Sequence, residues 1–189
     1  VVASYAKQFL ETYQNVTVYF AHSDQRDVPL QERTDSANRL KVDAYVSIHA
    51  NAYGSTWNDA RGIETYVYPT RPRIALELAQ KIQKHVFLAT GLRNRGVKTA
   101  DFHVLRETNM DAILIECGFM TNQVEAKLLQ IDAYRRTVAD AIVKGIAEQF
   151  KLAKKATAPT PAPAPAPTPA PAPNNSGGLY KVQVGAFSN

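Results

Sequence analysis

The sequence predicts an α/β fold, a three-layer sandwich with a mostly parallel sheet flanked by helices, on three observations. Short runs of β-branched and aromatic residues alternate along the chain with longer stretches at helical spacing, the order that builds parallel sheets. Two strand-like runs, the alternating one in DAYVSIHAN and the apolar one in AILIECG, end on the ionisable His49 and Glu116, as core strands with a site at their carboxyl ends do. Composition is that of a domain with a real core, 45% hydrophobic and 21% charged, until an Ala/Pro-rich stretch begins near residue 156.

In chain order, Val2, Ala6, Phe9, Leu10 and Tyr13 repeat at helical spacing, so residues 1–14 are expected to be helical. Val16–Phe20 is a short strand, followed by a polar loop that carries His22. Pro29 can open a helix whose inner face is Leu30, Thr34, Ala37 and Leu40. The strand leading to His49 comes next, with Val42, Ala44, Val46 and Ile48 on one side and Asp43, Tyr45 and Ser47 on the other. A polar loop, 51–62, contains the single tryptophan, Trp57, which either stacks on a sugar or peptide or folds back onto the core. Ile63–Tyr68 alternates as a strand ended by Pro69 and Pro72. Ile74–Thr90 is a long helix stopped by Gly91, with His85 solvated among lysines. The sequence predicts a basic turn over Gly91–Lys98 and a short strand over Phe102–Leu105. The strand reaching Glu116 follows. Helices over Asn122–Leu129 and Asp132–Phe150 close the domain, the latter with Val138, Ile142, Ile146 and Phe150 on one face.

Two adjacent strands of this kind bring His49 and Glu116 to one rim, as a metal ligand and a nearby general base. The competing reading of His49 is a hydrogen-bonded histidine at a strand end, and that of Glu116 is an ion pair with a cation such as Arg106. Cys117 is the only cysteine, which excludes an intramolecular disulfide and a cysteine-based structural zinc site. Beside Glu116 it invites comparison with a nucleophile, but a small buried thiol filling space accounts for it.

SIHAN, the upstream PLQERTDSAN, then GIETYVYP, RGVKTADFHVLRET and IECGF stand in the order seen in zinc-dependent N-acetylmuramoyl-L-alanine amidases. Over about residues 1–151 the chain resembles that cell-wall hydrolase family, including its sporulation-associated members. The resemblance implies zinc bound by His49 and Glu116 as the catalytic acid/base, with Asn51 and Arg106 as substrate contacts. It also implies two further zinc ligands, a histidine of a GHGG-like motif and a glutamate, upstream of SIHAN. Neither motif occurs here, and Val1 already lies inside a helical pattern, so the chain is expected to be an amino-terminally truncated piece. His22 and His103 are the internal histidines that could substitute, although the resemblance gives neither a ligand role. Asp111 stands where the family usually has proline. The implied reaction is hydrolysis of the amide between N-acetylmuramic acid and L-alanine of peptidoglycan. The alternatives are an inactive peptidoglycan-binding protein and a zinc carboxypeptidase acting on the stem peptide.

Lys+Arg 22 against Asp+Glu 17 gives a net charge of +5, which suits an anionic polymer such as a cell wall. No basic run points to nucleic acid, and no membrane span is visible. The expected setting is extracellular, at the cell wall, for a protein acting as a monomer. Eight of the eleven prolines fall in 156–173, so residues 152–178 are expected to form an extended, disordered linker. Beyond it, 179–189 resembles the first strand of a truncated sporulation-related (SPOR) wall-binding repeat. It is expected to stand as a lone strand without partners.

Overall fold

A computed structural model of the chain describes residues 1–156 and 180–187. Its elements run α1 (Val2–Leu10), β1 (Val16–Phe20), α2 (Leu30–Leu40), β2 (Ala44–Asn51), β3 (Ile63–Val67), α3 (Arg73–Thr90), β4 (Asn94–Thr99), α4 (His103–Arg106), β5 (Asp111–Phe119), α5 (Gln123–Gln130), α6 (Asp132–Phe150) and β6 (Tyr180–Phe187). The strands form one sheet in the order β1-β6-β2-β5-β3-β4. Neighbours are parallel except β3, which runs antiparallel to β5.

Strand alternation divides the core. Val46, Ile48, Ile113, Ile115, Cys117, Ile63 and Val67 face the large layer built by α1, α3 and α6. Tyr45, Leu114 and Ala112 face the smaller cluster under α2 and α4. The two long helices of the large layer approach closely. A Cβ on Gly145 of α6 would lie 2.6 Å from Ile82 Cγ1 and 2.8 Å from Ile82 Cα on α3, so only glycine fits there. Gly91 ends α3 with φ at 68° and its N–H bonded to the Phe87 carbonyl at 3.0 Å, as the sequence predicts for a left-handed helix stop. The Asn122 side chain caps α5 by accepting from the N–H groups of Val124 and Glu125.

Three expectations are corrected. The basic stretch predicted as a turn is β4, an edge strand parallel to β3. Its Arg95, Lys98 and Gly96 (φ 79°) lack an apolar alternation because one side of an edge strand stays open to water. The predicted strand at Phe102–Leu105 is a single turn of helix, α4, whose Val104 and Leu105 are buried. The strand expected to stand alone near the end of the chain is β6, bonded on both sides, to β1 and to β2. Val182 and Val184 enter the large core layer, and pairing on both edges satisfies the backbone groups that an isolated strand leaves to water. Its start is pinned by Asp43, whose N–H donates to the Lys181 carbonyl at 2.6 Å and whose carboxylate accepts from the Lys181 N–H. The opposite side of β6 fits less well. Gln183, opposite Tyr45 in register, is fully buried, and its amide atoms and the Tyr45 hydroxyl have no partner among the described residues. Of the segment 152–178 expected to be an extended linker, 157–178 lies outside the described residues, while its first residues are tied to the domain: Gln14 N–H donates to the Ala153 carbonyl and Lys155 N–H to the Thr12 carbonyl, each at 2.8 Å.

Candidate active site

The register of three strands builds the site. His49 of β2 pairs with Glu116 of the parallel β5, and Glu116 pairs with Glu64 of the antiparallel β3. Register partners on adjacent strands share a face about 5 Å apart, so the three side chains form a row at the carboxyl ends of β2 and β5. Their face is that of Ser47 and Tyr66, under the thinner layer of α2 and α4.

Glu116 is 7% exposed, and its Oε2 is buried without a hydrogen-bond partner among the described residues. Loss of water, and then the negative charge of Glu64, push its pKa up to about 7. Glu64 is buried too, which by itself would raise its pKa. Hydrogen bonds from Arg95, Lys98 and Tyr66 outweigh burial and hold it down at about 2. Arg95 Nε donates to Glu64 Oε2 at 2.6 Å, and Lys98 donates to the same oxygen. The Tyr66 hydroxyl and the Asn51 amide each donate to Oε1 at 2.7 Å. Two adjacent carboxyl groups thus have separated proton affinities, one fixed as an anion and one poised near neutrality, the division of labour that acid–base chemistry uses. Burial, with the nearby Arg33 charge, lowers His49 to about 4, so its imidazole is neutral at neutral pH. Its Nε2 lies 2.9 Å from Ser47 Oγ.

Of the residues singled out from the sequence, His49, Glu116 and Asn51 come together. Arg106 does not join them: it is paired with Asp101 at 2.6 Å and Glu107 at 2.8 Å. It lines a hollow with Asp111 and Ala112, which precede Glu116 by roughly 13–17 Å along the strand. Glu116 is therefore not tied to Arg106 as an ion pair. His103 sits on α4 with Nε2 3.4 Å from Thr34 Oγ1. His22 follows β1 and packs its ring 4.9 Å from that of Phe20. His85, expected to be solvated, is half-buried and 2.8 Å from Glu148. Cys117 points into the large core layer, where burial and then Glu116 raise its thiol pKa, so it is no nucleophile. Trp57 does not fold back: it is 61% exposed.

Glu64, Tyr66, Arg95 and Lys98 are the site residues that the sequence reading passed over. The available signal was the one acid in a β-branched and aromatic strand, since buried carboxylates need partners.

A catalytic zinc takes three protein ligands and an open position. Among the described residues no three of His, Cys, Asp and Glu converge as a metal ion requires. The described residues therefore offer His49 without completing a zinc site. No described helix is long and apolar enough to cross a membrane.

Residues 1–148 match the Amidase_3 family, N-acetylmuramoyl-L-alanine amidase. The chain is 35% identical over 178 residues to the N-acetylmuramoyl-L-alanine amidase CwlM of Bacillus licheniformis, covering 94% of this chain and 60% of that protein. It is 33% identical over 175 residues to the sporulation-specific N-acetylmuramoyl-L-alanine amidase of Bacillus subtilis (strain 168), covering 93% and 59%. It thus spans about three fifths of the length of these relatives. Among solved structures, the catalytic domain of CwlV from Bacillus (Paenibacillus) polymyxa aligns with a TM-score of 0.74 at 33% identity, over 80% of this chain and 82% of that one. An N-acetylmuramoyl-L-alanine amidase from Clostridium difficile 630 aligns with a TM-score of 0.76 at 34% identity, over 79% and 80%.

Proposed function

The chain belongs to the N-acetylmuramoyl-L-alanine amidase family, and from that premise we propose that it hydrolyses the amide bond between N-acetylmuramic acid and L-alanine in peptidoglycan. The observation that carries the reading is the buried Glu116, poised near pH 7 beside a neutral His49 and a fixed anion, Glu64.

Glu116 takes a proton from the attacking water and returns it to the departing L-alanine nitrogen. Glu64 is too strongly neutralised to accept that proton itself. Its charge instead keeps the proton affinity of Glu116 high, and its Oε1 fixes the Asn51 amide at the rim, where it can meet a substrate carbonyl. Zinc dependence belongs to this proposal: the metal would polarise the scissile carbonyl and activate the water. His49 is the described residue that would hold it, with the remaining ligands outside the described residues. Peptidoglycan as substrate places the site of action at the cell wall, and the protein acts as a monomer. The strand Tyr180–Phe187 as the opening of a SPOR repeat belongs with the same proposal.

The test is the release of L-alanine amino termini from purified peptidoglycan, with zinc content measured in parallel. The 189 residues alone are expected to hold zinc weakly and to leave walls unlysed, since one histidine cannot fix the metal's geometry. In a longer form carrying the remaining ligands, turnover is expected. There Glu116→Gln keeps the metal and loses turnover, by roughly 10²-fold or more, whereas His49→Ala loses both. Full activity in Glu116→Gln would remove the acid/base assignment. Binding without any bond cleavage in the longer form would favour an inactive wall-binding protein, and release of a carboxyl-terminal amino acid would favour a carboxypeptidase.

A further inference from the structure

Around the rim from Glu64 lies a hollow of about 760 Å3 to which the chemistry above assigns nothing. It opens at the same end of the sheet, where β5 ends and β3 and β4 begin. Trp57, Asp59, Arg61, Arg93 and the first turn of α5 line it. Trp57 is 61% exposed and stands between this hollow and a second one bounded by Met120 and Thr121. An indole this exposed at a polar groove offers an apolar surface to a ligand. The Arg61 and Arg93 guanidinium groups are exposed and pair with no carboxylate among the described residues. The nearby Glu125 does not neutralise them, because it is buried and its two oxygens accept from the N–H groups of Gly62 and Phe119, each at 2.8 Å. Asp59 is the one exposed acid in the lining.

The walls are held in place by the backbone. Ile63 N–H donates to the Arg93 carbonyl at 2.8 Å, and a Cβ on Gly62 would lie 2.3 Å from that same oxygen. The two arginine-bearing segments are therefore locked backbone to backbone, with no room for a side chain between them. The Trp57 loop is fastened to the β5–α5 connection through Asn58, whose N–H donates to the Thr121 carbonyl at 2.9 Å. Arg95 links the hollow to the reacting centre, since it braces Glu64 and reaches the Arg61 carbonyl at 3.4 Å.

We propose that this hollow is a second binding subsite for the polymer, in which a sugar ring rests on the Trp57 indole while Arg61 and Arg93 hold a stem-peptide carboxylate. A pyranose presents a face of C–H groups that suits an aromatic ring, and guanidinium groups match a carboxylate with paired donors. Asp59 sits where it can accept from a sugar hydroxyl or a peptide N–H. The inference rests on peptidoglycan being the substrate.

The experiment is co-sedimentation of the full chain, which leaves the polymer uncut, with purified peptidoglycan stripped of phosphate polymers. Trp57→Ala and the double variant Arg61→Gln/Arg93→Gln are compared with that parent, on native polymer and on polymer whose carboxylates have been converted to amides. The arginine pair is expected to lose about tenfold in affinity for native polymer and nothing on the amidated form, to which the parent itself binds as weakly as the double variant. Trp57→Ala should weaken binding on both. Unchanged melting temperatures show that the variants are folded. Equal binding of native polymer by parent and double variant, or no binding by the parent, overturns the subsite. Release of L-alanine amino termini is scored separately, in the longer form with Glu116 intact, so the reaction and the subsite can fail independently.

Discussion

Glu64 and Glu116 are the same residue type in register on adjacent strands, yet one is held near pKa 2 and the other near 7. The difference lies in donors: four side chains donate to Glu64, while one oxygen of Glu116 has no partner. This has a sign in stability. The folded-state pKa of Glu116 stands above its ordinary 4.5, so between pH 4.5 and 7 the native chain retains a proton that the unfolded chain has lost. Stability contributed by this group falls as pH rises through that window, by roughly 3 kcal/mol at most. Glu116→Gln is therefore expected to stabilise the protein at pH 8 and to have little effect at pH 4.5, read from urea melts at both. An equal gain at the two pH values would show that the buried charge is not the cause. Glu64 acts oppositely. Its stabilisation is present above pH 4.5 and fades as pH falls towards 2, so Glu64→Gln should cost most at neutral pH, where it also strips Arg95 and Lys98 of their anion. His49 and Glu116 were legible in the sequence because each ends an apolar run. The role of Glu64 was not, since its partners Arg95 and Lys98 come from an edge strand that carries no hydrophobic alternation.

The strands and helices with a clean period emerge at nearly their predicted bounds, as Val16–Phe20 and Asp132–Phe150 show. Those made by tertiary surroundings, β4 and the single turn α4, do not. Nor was the placement of β6 legible, because alternation tells which residues of a strand face inward but not which edges it joins. Between β6 and β2, the buried Gln183 amide and the Tyr45 hydroxyl each go without a partner among the described residues, at a cost of about 1–3 kcal/mol per group. Replacing Gln183 by Leu is expected to raise the melting temperature, and Tyr45→Phe likewise; a fall in both would mean that the two groups are satisfied in solution. Between α3 and α6 the expectation reverses. Gly145→Ala would press a methyl onto the Ile82 backbone and side chain, and should destabilise by about 1–3 kcal/mol despite the better helix propensity of alanine. Joining Ile82→Ala or Ile82→Val to it should not restore full stability, since the Ile82 Cα and N remain 2.8 Å from the new atom.

At the scale of the molecule, the sheet is continuous only because β6 bridges β1 to the other four strands. Removing residues 157–189 would leave β1 and β2 with unbonded facing edges and take Val182 and Val184 out of the core. Such a shortened chain should show markedly weaker cooperative unfolding and a tendency to aggregate, checked by thermal melts and light scattering; an unchanged melt would mean that β6 adds nothing to the sheet. The order in which the strands are made also matters. Val16 pairs with Tyr180, so the strand that joins β1 to the rest of the sheet is made after the other five. A nascent chain carrying α1 through α6 must wait with two open edges, and the closing step must recruit a segment far along the sequence. Loop closure of that span makes for slow, late assembly and a window in which a chaperone that shields open strands would raise the yield.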